Sequence, residues 1–240
     1  LKESVKTYIF ISSISVYNDF QKIGLKETDE LGKLDNNCDL ETVTNNSYGP
    51  LKALCEDVIK NVYGDRSLII RPGIIAGPHD QSDRFLYWVK RIAKGGKVIC
   101  PEKPDKPIQF IDVRDLSEWI ITLAEQNVAG CFNATGPEKK LSLSEMLQIC
   151  KLVTGSNSEL FWVSEDFLEK NEIVFPFNVT EEDYGHFSVD ISKAIQSGLK
   201  FRALEETIKD TLDWYTNLKD DIELKVGPTI DREKQLLKEF

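Results

Sequence analysis

Two short apolar runs with one helical segment between them restrict the fold of this chain more than any other feature. Residues 7–13, Thr-Tyr-Ile-Phe-Ile-Ser-Ser, form a continuous apolar, β-branched and aromatic run ending in small hydroxyls, the pattern of a strand buried on both faces of a parallel sheet. Residues 67–71, Ser-Leu-Ile-Ile-Arg, read as a second strand, followed by the turn-rich Pro72-Gly73-Ile74-Ile75-Ala76-Gly77-Pro78. Between them, residues 48–63 carry a helical period: Leu51, Leu54, Cys55, Val58 and Val62 on one stripe, Ser47 as the expected N-cap, Pro50 in the first turn and Gly64 as the stop. Parallel strands joined this way need a right-handed crossover, so both strand ends and the start of the helix fall on one side of the sheet. That geometry gathers Ser13, Tyr48 and residues 72–75 where ligands of open α/β sheets bind. Residues 18–46 are polar and without a sustained period, a long surface loop.

The remaining segments continue the α/β pattern. Residues 84–94 predict a helix with Phe85, Trp88, Val89 and Ile92 inward, 97–100 a short strand, and Pro101, Pro104 and Pro107 a stiff connector. Residues 108–113 alternate as a strand, Asp115 is placed to cap a helix over 116–126, and 130–134 form another strand. Ser142 or Ser144 starts a helix reaching 153, with Glu145 in capping-box spacing from Ser142. Residues 159–163 read as a strand and 166–171 as a short helix. The aromatic stretch 175–187 reads as a loop, 190–197 and 204–217 as helices, and the charged tail 231–240 as a peripheral helix.

Composition narrows the function classes. A net charge of -10 with scattered basic residues gives no surface built to neutralise nucleic-acid phosphates. Five widely spaced cysteines, Cys38, Cys55, Cys100, Cys131 and Cys150, with no Cys-x-x-Cys pair, suit reduced thiols and a cytoplasmic location. Neither histidine, His79 or His186, has a metal-ligand neighbour at a usual spacing, so no metal site is expected. The sequence shows neither a membrane-length apolar run nor a signal peptide.

Within the gathered site, Tyr48 and Lys52 stand four apart and share one helix face. An ammonium beside a phenol favours the phenolate and makes a tyrosine usable as an acid or base. The same spacing also reads as an amphipathic helix edge with a snorkelling lysine, and Ser12 and Ser13 as residues that merely end a strand. His79 and Arg84, after the second strand, and Gln109, before the Asp112-Val113-Arg114-Asp115 turn, are further candidates for substrate contact. They read equally as a surface histidine, a helix-start arginine and a strand-edge glutamine.

Taken in order, Ile11-Ser12-Ser13-Ile14-Ser15-Val16-Tyr17, Tyr48-x-x-x-Lys52, Arg71-Pro72-Gly73-Ile74-Ile75-Ala76-Gly77-Pro78 and Gln109-Phe110-Ile111-Asp112-Val113-Arg114-Asp115 resemble the extended short-chain dehydrogenase/reductase family, which includes nucleotide-sugar epimerases and dehydratases. The resemblance implies an α/β fold: an incomplete Rossmann-like parallel sheet with helices on both faces (1–78) plus a C-terminal part (79–240) that mixes the remaining strands with a small substrate-binding α/β portion. It implies Tyr48 as general acid/base, Lys52 as the group that assists it and holds the nicotinamide ribose, and Ser13 as the residue that orients the substrate oxygen. Ser12, Pro72, Gly73, Ile74 and Ile75 would pass beside an NAD or NADP cofactor, and Ser15, His79, Arg84 and Gln109 would meet the substrate.

Two departures qualify that implication. Dehydratases of the family carry an Asp-Glu pair where this chain has Ile14 and Ser15, which disfavours dehydration. The Gly-x-x-Gly-x-x-Gly turn that cradles a pyrophosphate is absent, and roughly a hundred residues bearing it would be expected before Leu1. The expectation is therefore an NAD(P)-dependent oxidoreductase or epimerase, on a nucleotide sugar or other small molecule, that in this shortened form does not bind cofactor normally. The alternatives are a non-catalytic remnant or interaction module that self-associates as a homo-oligomer through an unpaired sheet edge, and, from plant relatives in the family, an RNA-binding protein.

Overall fold

A computed structural model describes residues 2–34, 40–178, 180, 182, 184–218 and 223–238. Cys38 and the neighbouring part of the long loop, single positions in the 175–187 loop and the last two residues of the tail lie outside these. The elements in chain order are β1 (Tyr8–Ile11), α1 (Asn45–Tyr63), β2 (Ser67–Pro72), β3 (Ile74–Ala76), α2 (Arg84–Ala93), β4 (Lys97–Pro101), β5 (Pro107–Ile108), β6 (Phe110–Asp112) and α3 (Val113–Glu125). They continue with β7 (Gly130–Ala134), β8 (Leu141–Ser142), α4 (Leu143–Thr154), β9 (Glu159–Val163), α5 (Glu165–Lys170), α6 (Ser192–Gln196), α7 (Leu204–Thr216) and α8 (Ile230–Leu236). No helix among the described residues is long and apolar enough to cross a membrane.

The chain forms two units interleaved in sequence: Leu1–Ile75, Gln109–Lys139 and Thr180–Phe201 make the first, and Ala76–Ile108, Lys140–Val179 and Arg202–Phe240 the second. The later stretches 109–139 and 180–201 return to the unit that opens with residues 1–75.

In the first unit the sheet runs β1-β2-β7, all parallel, with Ile9 opposite Leu68 and Ile70 opposite Phe132. Alternation along β2 assigns its two faces. Leu68 and Ile70 join Leu116, Trp119 and Leu123 of α3 with Phe132 in one core cluster. Arg71 faces the opposite way, toward α1.

The face that α1 buries differs from the apolar stripe of the sequence. Ala53, Glu56 and Ile59 are inside, whereas Leu54, Val58 and Val62 are exposed. The reason is electrostatic. Arg71, 1% exposed, holds Glu56, 0% exposed, through two parallel bonds of 2.9 and 2.6 Å. A charge buried at that depth must be paired and hydrogen-bonded, and orienting α1 to pair it outweighs the apolar stripe. The helix also begins earlier than expected. Thr44 is the N-cap, and Ser47 closes a reciprocal capping box with it, which leaves Pro50 inside the helix beyond the first turn. At α3 the cap is Asp112, whose side chain accepts from Arg114 N–H at 2.8 Å, and Asp115 lies within the first turn.

The second unit pairs β4 with β9 in parallel and β5 with β8 antiparallel. Its helices α2, α4 and α7 pack together, and Ser142 and Glu145 form the capping box expected of α4. Glu233 of α8 is buried, accepting from Arg91 Nε at 2.5 Å and from the Ile99 backbone at 2.8 Å, which ties the tail helix to α2 and β4.

Burial opposes ionisation of Glu56, but the hydrogen bonds and charge of Arg71 exceed that penalty and hold the carboxyl below its usual range. A depressed folded-state value means the pair stabilises the fold above the ordinary carboxylate range, and this stabilisation is lost as pH falls through the lowered value. Arg71→Met is expected to cost about 3–5 kcal/mol in urea unfolding at neutral pH, because it strands a buried carboxylate. Glu56→Gln is expected to flatten the acid limb of the stability profile.

Candidate functional site

The site sits at the carboxyl end of β1. After Ile11 the chain passes Ser12, whose N–H donates to Ile70 O at 2.7 Å, and enters a short 3-10 turn, Ile14–Val16, capped by Ser13. Ser13 Oγ accepts from Ser15 N–H at 3.1 Å and donates to Ser15 Oγ at 3.1 Å. A strand end that turns sharply thus presents two linked hydroxyls.

The start of α1 is pressed against this turn. A Cβ placed on Gly49 would lie 2.0 Å from the Ser15 carbonyl oxygen, so only glycine allows the approach. Tyr48, adjacent to it, is 39% exposed. Lys52 Nζ donates to Ile11 O at 3.0 Å, and its ammonium stands 5.0 Å from the Phe10 ring centre and 6.0 Å from that of Tyr48. One of the three ammonium donors is therefore spent on holding Lys52 at the strand end, beside the phenol.

A pocket of about 300 Å³ opens here, lined by Tyr48 and Ser15 with Asn18, Lys33, Asn45, Asn46 and His186. Tyr17 also lines it but is a structural phenol. Its hydroxyl donates to Asn133 Oδ1 at 2.6 Å and accepts from Arg71 Nη1 at 3.1 Å, and burial raises its pKa far above the neutral range. Of the two tyrosines in the pocket, Tyr48 is the one open to a reaction partner.

The other sequence candidates are placed as follows. The Gly73 N–H donates to Ala134 O at 3.1 Å, and Thr135 Oγ1 fills the space where a Cβ would stand, so this glycine serves close backbone packing. Pro72 ends β2, and Ile74 and Ile75 lie in β3, which pairs with β6. Gln109 uses its side-chain amide twice on Val189, donating to O at 3.1 Å and accepting from N–H at 2.9 Å. His79 and Arg84 are exposed residues of the second unit, His79 with a φ of 67° and its ring 5.1 Å from Trp214.

His186 is a pocket residue that sequence reasoning missed, as are Lys33 and Asn45. Its Nε2 lies 3.5 Å from Ser15 Oγ, and its ring stacks on Phe20 with centres 3.8 Å apart. Burial pushes the thiol of the half-buried Cys131 up to about 11 and that of the buried Cys150 up to about 12, so neither is a thiolate at neutral pH. Among the described residues no cluster of His, Cys, Asp and Glu could hold a metal ion.

A parallel sheet flanked by helices, with a Tyr–Lys helix set against the carboxyl end of a strand, defines a Rossmann-like α/β protein. The chain belongs to the NAD dependent epimerase/dehydratase family, whose model matches residues 1–134. Its fold is similar to that of a UDP-N-acetylglucosamine 4-epimerase from Methanobrevibacter ruminantium in complex with UDP-N-acetylmuramic acid, with 21% identity and a TM-score of 0.65 over 90% of this chain and 64% of that one. It is also similar to a UDP-glucuronic acid 4-epimerase from Bacillus cereus in complex with NAD (17% identity, TM-score 0.63, 91% and 64% covered). A third is the RMD protein of Pseudomonas aeruginosa complexed with NADPH (18%, 0.60, 88% and 67%). The chain thus spans about two thirds of the length of these proteins. No curated protein sequence matches it significantly.

Because Gly49 leaves no room, Gly49→Ala is expected to push α1 off the Ser15 turn, at a cost of about 1–3 kcal/mol. Thermal unfolding would show the lowered midpoint.

Proposed function

We propose that this chain carries the proton-transfer site of an NAD(P)-dependent epimerase or reductase, acting on a hydroxyl or carbonyl carbon of a small molecule of the nucleotide-sugar class. The observation that supports this best is the anchoring of Lys52 to the carboxyl end of β1 next to the exposed Tyr48, with the Ser13–Ser15 hydroxyls on the facing turn. Tyr48 takes the proton of a substrate hydroxyl, or returns it to a carbonyl oxygen. Lys52, a fixed positive charge, favours the phenolate stage of that exchange. Ser13 orients the oxygen. The amides of Asn45 and Asn46 and the ammonium of Lys33 offer polar contacts for the rest of the substrate.

A nicotinamide bound beside Tyr48 would supply the acceptor and donor of hydride. The phenol and ammonium at the strand end fit its ribose, with Lys52 keeping two further donors for it. No Gly-x-x-Gly-x-x-Gly turn occurs in the 240 residues to hold the pyrophosphate. Ile14 and Ser15 stand where dehydration would need an acid and a base of its own, so epimerisation or reduction is preferred to elimination.

A second reading, assembly with another copy of the chain, is favoured by the apolar stripe Leu54, Val58 and Val62 on the outer face of α1 and by β1 lying at the sheet edge with Ile11 40% exposed.

Two measurements test these readings. Titration of NADH and NADPH into the 240 residues, followed by nicotinamide fluorescence, is expected to show weak binding only; in a chain extended with the glycine-rich turn, Tyr48→Phe is expected to keep cofactor binding while turnover on UDP-sugars falls about 10²–10⁴-fold. Turnover unaffected by the substitution would remove Tyr48 from its role. For assembly, light scattering is expected to give a dimer in the parent and a monomer in Val58→Glu.

A further inference from the structure

His186 arrives at the pocket from far along the chain, and the structure shows how it is fixed there. Gly185 N–H donates to Phe20 O at 2.6 Å, Gly24 N–H to Ser188 O at 2.8 Å and Asp190 N–H to Leu25 O at 2.9 Å. Gly185 packs so closely on this loop that a Cβ would lie 2.4 Å from Lys22 O. Gln109 clamps the next turn at Val189. These bonds hold the imidazole against Phe20, with Nε2 turned to Ser15 Oγ at 3.5 Å.

The result is a chain of three polar groups, Ser13 Oγ to Ser15 Oγ to His186 Nε2, of which Ser15 and His186 line the pocket together with Tyr48. Each hydroxyl has one proton to donate, so the direction of one bond sets that of the next. With Nε2 unprotonated, Ser15 donates to His186 and Ser13 donates to Ser15. Ser13 Oγ then meets a substrate oxygen only as an acceptor and competes with Tyr48 for the one proton of a substrate hydroxyl. With Nε2 protonated, His186 donates to Ser15, the Ser15 hydroxyl turns to Ser13, and Ser13 is left to donate, which suits a substrate carbonyl and equally a hydroxyl whose proton goes to Tyr48.

We propose that His186 is a positioning residue that sets the polarity of the Ser13–Ser15 hydroxyl pair, and through it whether Ser13 can donate to the substrate oxygen whose proton Tyr48 exchanges. This rests on the reading of Tyr48 and Ser13 given above. Among the described residues, the other titratable groups lining the same pocket are Lys33 from the loop after β1, Tyr48 from α1 and Tyr17, which burial keeps protonated.

The sequence holds two histidines, so imidazole ¹⁵N NMR can isolate this ring, with His79→Asn removing the other signal. Asparagine tolerates the positive φ at that position. In the neutral protein His186 is expected to favour the Nδ1–H tautomer, because Nε2 accepts from Ser15. Ser15→Ala is expected to shift the population toward Nε2–H, and Ser13→Ala to shift it in the same direction by less. A tautomer population unmoved by Ser15→Ala would overturn the proposal. In turnover, His186→Ala is expected to lower kcat severalfold while leaving KM within about twofold; an unchanged kcat would also overturn it. The NMR result does not depend on turnover. A ring that responds to Ser15→Ala in a protein whose turnover ignores Tyr48→Phe would sink the site reading and leave the hydroxyl chain standing.

Discussion

The buried pair between Arg71 and Glu56 fixes the rest of the first unit. Arg71 lies on the central strand of the sheet and Glu56 on the helix that carries Tyr48 and Lys52, so their bidentate bond sets the rotation of that helix about its axis. Arg71 also reaches the Tyr17 hydroxyl and the Glu27 carbonyl, and Tyr17 passes the network on to Asn133 of β7. Asn133 binds the carbonyls of Leu25 and Asp190. One guanidinium thereby connects the helix, the loop after β1, the third strand and the late segment around residue 190. Partly satisfied, such a network would be costly; the bonds it makes here specify one arrangement.

Around that frame the site depends on close approaches. Gly49 lets the helix touch the Ser15 turn, and Lys52 reaches back to the carbonyl that ends the strand. Tyr48 immediately precedes Gly49 and stands one helical turn before Lys52, so these contacts hold its backbone position while its side chain remains open. The polar wall opposite belongs to hydroxyls that also cap a turn. A single short segment, Ser13–Ser15, therefore serves local folding and chemistry together.

Much of this was legible in the sequence, for reasons that also explain the misses. The runs at 7–13 and 67–71 are apolar without interruption, and only a strand covered on both faces uses such a run. The crossover rule then placed Ser13 and Tyr48 on one side. The cap of α1 was misplaced because Thr44, Asn45, Asn46 and Ser47 are all acceptable N-caps, and tertiary contacts decide among them. Its buried face was misread because hydrophobic periodicity cannot see that Glu56 has a partner fifteen residues on. His186 gave no signal at all, since a lone histidine acquires meaning only from Ser15, 171 residues earlier.

That separation carries a consequence for the order in which the protein is made. β1, α1 and β2 can pair by contacts close in sequence, but the strap of residues 184–190 that brings His186 to the pocket is synthesised well after them. Contacts so distant along the chain pay their loop-closure entropy late in folding. A nascent chain would therefore hold Tyr48 and Lys52 in place well before it holds His186, and the chemistry of the pocket would be assembled last.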